Sequence, residues 1–168
     1  MYRIKQFIWA LTSNFKKIDS EYIDKFLDSK EKELFNKLRH NEKHHCIRVS
    51  KDAINIAKEK NLNIDEKKLA KVSLLHDVGK GEHGLNLIEK STLVILNKIT
   101  RGKLKKFNNI KNVDIYYNHG KKGVTLLKNL SKDKYDKEFL ETIEFHHDKN
   151  MKKENLLLNI IRESDDKN

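Results

Sequence analysis

Apolar side chains recur every three or four residues along most of the chain, the spacing that places them on one face of an α-helix. This pattern predicts helices at about 2–16, 22–27, 34–38, 42–60, 66–76 and 153–165. It predicts another helix within 85–99, and two more that begin at His119 and at Asp133. Zero prolines and only 6 glycines in 168 residues leave few breaks in these helices. We therefore expect an all-α fold.

Short polar side chains predict where some helices begin and end, because they satisfy the free backbone groups of a helix terminus. Asp65 is expected to cap the helix before His76, and Asp133 the helix that carries Ile143. Asn61 is expected to end the helix that precedes it. The boundaries of the central helices follow from these three residues.

The helix predicted at 2–16 is amphipathic and basic. Its apolar face carries Ile4, Phe7, Ile8, Leu11 and Phe15, and Trp9 lies off that face. Such a helix suits a membrane surface, but we favour docking on the rest of the domain or on a second subunit, which would make a homodimer.

A length of 168 residues suits one domain. The net charge of +11 favours an anionic ligand such as a phosphate. A nucleic-acid partner is not favoured, because aromatic residues are not interleaved with the lysines. The Lys-rich stretch from Lys98 to Lys106 suits a solvated loop, or a lid that attracts nucleotides.

The single cysteine, Cys46, excludes an internal disulfide and fits a reducing compartment. We interpret it as a small core residue. No apolar run approaches the roughly 20 residues of a membrane-spanning helix, and Lys5 interrupts any signal-peptide core. We therefore expect a cytoplasmic protein with no transmembrane segment.

Candidate chemistry is concentrated at His76, Asp77, Gly79 and Lys80, directly after an apolar run. A neutral imidazole beside a carboxylate binds borderline divalent metals. Gly79 is expected to let the backbone turn sharply, and Lys80 to place a positive charge where a metal-bound phosphate would lie. A helix C-terminus capped by His76 would also account for these residues. The other histidines favour the metal site.

Helical spacing distinguishes two adjacent histidines. His45 shares a face with Val49 and further apolar residues, whereas His44 lies on the polar side of the same helix. His45 is therefore expected to point inward. Arg48, one turn later, is near enough to hold a substrate phosphate or the Asp77 carboxylate, although an ordinary surface arginine would fit the same position.

The same spacing orients candidates in the second half of the chain. His146 and His147, three and four residues after Ile143, are both predicted to project from the buried face. Asp165, four residues after Ile161, is predicted to aim inward. Two adjacent imidazoles on an apolar face are satisfied most readily by a metal.

His119 falls on the apolar face of its helix, and Gly123 removes a side chain where another element or a metal must approach closely. His83, in the loop after Lys80, has no helical frame. We interpret it as exposed or facing the substrate.

The motifs that contain these residues are His45-Cys46-Ile47-Arg48-Val49, Leu75-His76-Asp77-Val78-Gly79-Lys80, Asn118-His119-Gly120-Lys121-Lys122-Gly123, Ile143-Glu144-Phe145-His146-His147-Asp148 and Ile160-Ile161-Arg162-Glu163-Ser164-Asp165. Their order resembles the HD-domain metal-dependent phosphohydrolase superfamily, in its two-metal form with a doubled histidine. The resemblance runs from about Glu42 to the end. It implies an HD-domain helical bundle over 42–168, with the extra N-terminal helices of 1–41 packed on it.

The resemblance also implies roles for the site residues. Two divalent transition metals, Fe, Mn or Zn, would be held by His45, His76, Asp77, His119, His146, His147 and Asp165. Asp77 would bridge the metals, and a water that they activate would attack phosphorus. Lys80 and Arg48 would bind the substrate phosphate and neutralise charge that develops on it.

The implied substrate is a small phosphate-containing molecule, a phosphomonoester or phosphodiester of a nucleotide or cyclic dinucleotide. Two departures from the family pattern are mild: Asp148 follows the doubled histidine, and Ser164 precedes Asp165. Two alternatives stay open at this point. Some HD-fold proteins with two irons are oxygenases, and an HD domain can bind a nucleotide without turnover.

Overall fold

A computed structural model of the protein describes residues 16–83, 85, 87–148 and 155–168. Within these residues it contains eight α-helices, two short 3-10 segments and no strand. The helices are α1 (Ser20–Phe26), α2 (Ser29–Asn36), α3 (His40–Glu59), α4 (Glu66–Leu75), α5 (Leu87–Ile99), α6 (Lys111–Leu130), α7 (Lys137–Phe145) and α8 (Leu156–Lys167), and the 3-10 segments are Val78–His83 and Lys103–Phe107. The predicted all-α fold is confirmed. The helix predicted at 2–16, its apolar face and the start of the last helix at 153 lie outside the described residues.

Two predicted helix starts are wrong. Helix α6 begins at Lys111, so His119 lies in its third turn and not at its start. Helix α7 is capped by Asp136, whose side chain accepts a hydrogen bond from the backbone of Phe139, and not by Asp133. The chain stays non-helical as far as Asp136 because the preceding Tyr135 is buried against another part of the molecule. The cap predicted at Asp65 is present.

The main core joins α1 and α2 to α3, α4, α6, α7 and α8. The apolar faces of these helices bury side chains completely, among them Phe35, Leu74, Leu127, Ile143 and Ile161. Each such side chain contributes about 1.5–3 kcal/mol to the free energy of unfolding. The same helices that hold this core also carry the histidines, so core packing determines where the histidines lie.

A second, smaller core lies between α5, the 3-10 segment Lys103–Phe107 and the first half of α6. Its buried residues are Leu85, Leu93, Leu104, Val113 and Ile115. The hydroxyl of Tyr117 on α6 donates to the Asn97 side chain on α5, across 2.5 Å. This part of the chain is therefore a corner built on α6, beside the main bundle.

No helix among the described residues combines the length and the apolar character that crossing a bilayer would require.

Candidate metal centre

Histidine and aspartate side chains from α3, α6 and α8, and from the residues just after α4 and α7, meet at one central point of the bundle. The polar atoms of these histidines and aspartates form two groups, each with all atoms within 4.8 Å of one another, and Cys46 forms a further such group with His76 and Asp77. One group contains Asp77, His119, His146 and His147, and the other contains His45, His76 and Asp165. The structure therefore brings together all seven residues that the sequence suggested as metal ligands.

The Asp77 carboxylate lies between the two groups. Its Oδ1 atom is 3.4 Å from Nε2 of His119 and 3.6 Å from Nε2 of His146. Its Oδ2 atom is 3.5 Å from Nε2 of His76 and 3.9 Å from Nε2 of His45. Each oxygen thus faces a different set of imidazoles, which is the placement needed for a carboxylate that bridges two cations.

Asp165 on α8 closes the second group. Its Oδ1 atom is 2.9 Å from Nε2 of His45 and 3.9 Å from Nε2 of His76, and its Oδ2 atom is 3.6 Å from Nδ1 of His147. The prediction that Asp165 points inward, made from its spacing to Ile161, agrees with this position. Asp165 also lies between the two groups, with one oxygen facing His45 and His76 and the other facing His147.

Backbone carbonyls orient three of the histidines. Nδ1 of His76 lies 2.7 Å from the carbonyl oxygen of Ser73, and Nδ1 of His146 lies 2.7 Å from that of Ile143. Nδ1 of His119 is 2.9 Å from the carbonyl oxygen of residue 115. A carbonyl only accepts, so each Nδ1 carries a proton, and Nε2 is the ring nitrogen that faces the centre. This is the arrangement typical of metal-binding histidines.

Burial sets the charge states at the centre. Burial lowers the pKa of His76 to about 4 and that of His119 to about 3, so both rings are neutral at pH 7. Burial alone would raise the pKa of Asp77, but the nearby Lys80 and His76 hold it well below its ordinary value. These two imidazoles are therefore neutral and the Asp77 carboxylate is ionised, which is the state that binds a metal.

Two buried polar atoms at the centre have no hydrogen-bond partner. They are Nε2 of His76 and Oδ1 of Asp77. An unsatisfied buried polar atom costs about 1–3 kcal/mol, so proteins rarely leave one without a partner. A lone pair of imidazole and a carboxylate oxygen in one cavity are both donors to a metal. The residues present therefore fit divalent metal ions.

His147 departs from its predicted orientation. We expected both adjacent histidines to project from the buried face, but only His146 is buried, and the His147 side chain is 50% exposed. The reason is that α7 ends at Phe145 and the chain turns there, so helical spacing no longer applies. His147 lies at the rim of the centre, its ring 5.1 Å from that of His119.

The glycines act through close packing. A Cβ atom at Gly79 would lie 1.8 Å from the carbonyl oxygen of His119 and 2.5 Å from the backbone nitrogen of Gly123. The structure gives Gly79 a role other than the predicted sharp turn: without a side chain, it lets the segment after His76 touch α6. The left-handed backbone that favours glycine occurs at Gly81, with φ of 52°. The predicted close approach at Gly123 agrees with this contact.

Lys80 is directed at the centre. Its ammonium group donates a hydrogen bond to Oδ2 of Asp77, and this carboxylate raises the pKa of Lys80 against the effect of burial. Arg48, one turn after His45 on α3, is partly buried.

The neighbouring His44 lies outside the centre. Burial, with the charges of His40 and Arg48, lowers the pKa of His44.

Arg162 holds the doubled histidine, and sequence reasoning gave it no role. Its guanidinium donates to the backbone carbonyls of Phe145, His146 and Asp148, the first at 2.9 Å and the second at 3.3 Å. It therefore satisfies the free carbonyls where α7 ends. The one signal in the sequence was its position three residues before Asp165, which does not reveal that α8 packs against the end of α7.

His40 and His44 contact another part of the chain. Nε2 of His40 and of His44 are 2.9 and 3.1 Å from the carbonyl oxygen of Lys16, which agrees with the outward orientation predicted for His44. Cys46 is fully buried, with its sulfur within 4.8 Å of ligand atoms of His76 and Asp77, and burial raises the pKa of its thiol well above its ordinary value. The side chain of His83 lies outside the described residues.

Comparisons with known proteins give the family of the chain. Searches of the curated proteins and of the solved structures found no match. A family profile described as "HD domain" matches residues 43–166, which include all seven residues of the centre. The chain therefore belongs to the HD-domain family, a superfamily of metal-dependent phosphohydrolases that bind divalent metals and act on phosphate-containing substrates.

Proposed function

We propose that this HD domain holds two divalent transition metals and hydrolyses a phosphomonoester or phosphodiester of a nucleotide or cyclic dinucleotide. The observation that carries the proposal is the Asp77 carboxylate, whose two oxygens face two separate sets of imidazoles. One metal would be held by His45, His76, Asp77 and Asp165, and the other by Asp77, His119, His146 and His147.

The donor types narrow the choice of metal. Imidazole and carboxylate together suit iron, manganese and zinc. When bound, a pair of such ions supplies an activated water and a polarised phosphoryl oxygen for in-line attack at phosphorus. The chain contributes the positions of the donors, because backbone carbonyls lock His76, His119 and His146 with Nε2 toward the centre.

Lys80 would act on the substrate. Its ammonium group is fixed beside the Asp77 carboxylate and carries a full positive charge at neutral pH, since its pKa is raised. A cation at this position stabilises the negative charge that develops on the phosphoryl oxygens. Arg48 would approach the same phosphate from α3, one turn beyond His45. These two cations favour phosphate chemistry over the oxygenase alternative.

The nucleotide class is supported by charge. The chain carries a net charge of +11, which raises the local concentration of multiply charged anions such as nucleotides.

The test is metal analysis followed by a substrate panel. Purified full-length protein is stripped with a chelator and reloaded with iron, manganese or zinc, and bound metal is counted by mass spectrometry. Each form is then incubated anaerobically with bis-p-nitrophenyl phosphate, p-nitrophenyl phosphate, and mono- and cyclic dinucleotides. We expect two metal ions per chain. We also expect at least one of the three reloaded forms, with iron, manganese or zinc, to hydrolyse a substrate of the panel without oxygen.

Adjacent histidines on α3 provide a matched pair of variants. His45→Ala should lose metal and activity, whereas His44→Ala should retain both, because only His45 faces Asp165 and Asp77. Activity that needs oxygen would favour the oxygenase. Metal binding without hydrolysis of any substrate would favour a binding module, and absence of stoichiometric metal would contradict the proposal.

A further inference from the structure

Large apolar side chains are exposed in one short part of the chain. Six large apolar residues of the described chain are strongly exposed, and five of them lie between residues 95 and 110. These five are Ile95, Leu96, Ile99, Phe107 and Ile110, with exposed fractions of 57%, 40%, 71%, 55% and 52%. Isolated exposed apolar residues are ordinary, but a group of this kind marks an interaction surface.

The same part of the chain is strongly basic. Residues 90–113 contain seven lysines and arginines and no aspartate or glutamate. Among the described ion pairs, none involves the exposed cations of this stretch, Lys98, Arg101, Lys103, Lys105, Lys106 and Lys111. We call these six cations and the five apolar residues the 95–110 surface. It combines apolar contact area with uncompensated positive charge.

The local fold holds this surface outward. Leu93 of α5 and Leu104 of the following 3-10 segment fill the smaller core, so no core among the described residues covers the opposite face of α5. A tight reversal with positive φ at Arg101 and Gly102 brings the 3-10 segment back beside α5. The backbone N–H of Leu104 donates to the hydroxyl of Thr100 at 3.2 Å. The apolar and basic side chains therefore project from a fixed corner.

We propose that the 95–110 surface docks the protein on an anionic lipid bilayer. Lysines near such a surface each contribute about 1 kcal/mol, and exposed aliphatic side chains add apolar burial at the headgroup boundary. Single-stranded nucleic acid fits less well, because it is recognised by aromatic stacking and Phe107 is the one aromatic residue of the five. A symmetric second copy would bring the same six cations face to face.

Docking would bring the metal centre near the membrane. Helix α6 begins at Lys111, at the edge of the 95–110 surface, and His119 follows eight residues later, which is about 12 Å along the helix. The proposal does not depend on the reaction that the centre catalyses.

The test is co-sedimentation of the full-length protein with vesicles of phosphatidylcholine, with and without added phosphatidylglycerol. We expect binding to the anionic vesicles alone, and loss of binding as salt is raised, because salt screens the attraction. The variant Lys103→Glu/Lys105→Glu/Lys106→Glu should bind roughly a hundredfold more weakly, at about fivefold per lysine. The matched control Lys30→Glu/Lys128→Glu/Lys132→Glu changes the charge of three exposed lysines elsewhere by the same amount. This control should bind the anionic vesicles far more tightly than the variant of Lys103, Lys105 and Lys106.

A second pair of variants tests the apolar half of the surface. Ile95→Ser/Ile99→Ser should weaken vesicle binding, whereas Leu156→Ser, at an exposed apolar position on α8, should not. Circular dichroism checks that each variant is folded. The proposal is overturned if wild-type protein ignores anionic vesicles, if both lysine triples lose binding equally, or if neutral vesicles bind as well. It is also overturned if the surface binds only nucleic acid, or if Ile95→Ser/Ile99→Ser changes only self-association, seen by light scattering.

Discussion

In the part of the chain that the structure describes, charged side chains are buried in a cluster around Glu31 and in another around Asp77, and of these two only the Glu31 cluster satisfies its polar atoms from within that part. Glu31 is fully buried. Its Oε2 atom accepts from the Asp28 backbone at 2.9 Å and lies 3.0 Å from Lys71. Its Oε1 atom lies 2.8 Å from Lys134 and 3.0 Å from the Tyr135 hydroxyl. Each oxygen has two donors, so the cluster needs nothing from outside.

The Asp77 cluster is built in the opposite way. Two carboxylates and five imidazoles meet there, and the Lys80 ammonium group donates a hydrogen bond to one of the carboxylates, Asp77. Nε2 of His76 and Oδ1 of Asp77 are left without a hydrogen-bond partner. A buried polar cluster that lacks its own partners costs stability. This difference in hydrogen-bond partners indicates that the Glu31 cluster is structural, whereas the Asp77 cluster is suited to metal ions and a substrate that bind from solution.

The largest expected effect is loss of catalysis in His76→Ala. We expect kcat/KM for bis-p-nitrophenyl phosphate to fall by at least about a thousandfold, which is about 4 kcal/mol, because a metal contributes several kcal/mol to the transition state. The stabilisation that added metal gives to thermal unfolding should fall as well. Full activity in this variant would contradict the role given to the centre.

Next in size is the loss of stability expected for Glu31→Gln. Urea unfolding at pH 7 should show a loss of about 2–3 kcal/mol, since Lys71 and Lys134 keep their charges without a buried partner but are partly exposed. Metal binding should be unchanged. The control Asp24→Asn breaks an exposed pair with Lys32 and should cost less than about 1 kcal/mol. If Glu31→Gln lost metal, the two clusters would not be independent.

A smaller effect is expected for Arg162, which positions the doubled histidine without touching the reacting atoms. Arg162→Gln should weaken metal binding about tenfold to a hundredfold, the usual range for groups that orient metal ligands. Arg162→Lys should recover part of the loss, because a lysine reaches fewer carbonyls at once. Titration with zinc, read by calorimetry, measures the change. An effect on unfolding alone would show that Arg162 acts only on stability.

The smallest effect is the pH dependence that separates the clusters. Burial would raise the pKa of Glu31, but bonds from Lys134, the Asp28 backbone and Lys71 lower it below its ordinary value of 4.5. Its contribution is therefore complete above pH 4.5 and is lost as pH falls through the lowered pKa. The difference in unfolding free energy between wild type and Glu31→Gln should be constant from pH 7 to about 4.5 and shrink below.

The histidines respond in a different pH range. The folded pKa values of about 4 for His76 and about 3 for His119 lie below the ordinary 6.5, so the metal-free protein should lose stability as pH falls below about 6.5. Unfolding measured in chelator should show this loss in wild type and in Glu31→Gln alike. A loss confined to pH below 4.5 would contradict the neutral, buried state of these rings.

Much of the candidate site could be predicted because helical spacing is a local property. The choice of His45 over His44 and the inward direction of Asp165 followed from neighbours three and four residues away, and both agree with the structure. The same reasoning was wrong where helices end. His147 lies beyond the end of α7. Asp136 and not Asp133 caps α7, and the Tyr135 hydroxyl between them donates a hydrogen bond to Glu31.

The sequence by itself determined that the chain is helical and which side chains carry metal-binding chemistry, because both depend on residue type and on spacing within one helix. Only the tertiary structure decided that Asp77 lies between two sets of imidazoles, that Gly79 packs against α6, and that Arg162 holds the end of α7. These contacts join residues far apart in the chain. They depend on how helices pack against each other, which no local pattern specifies.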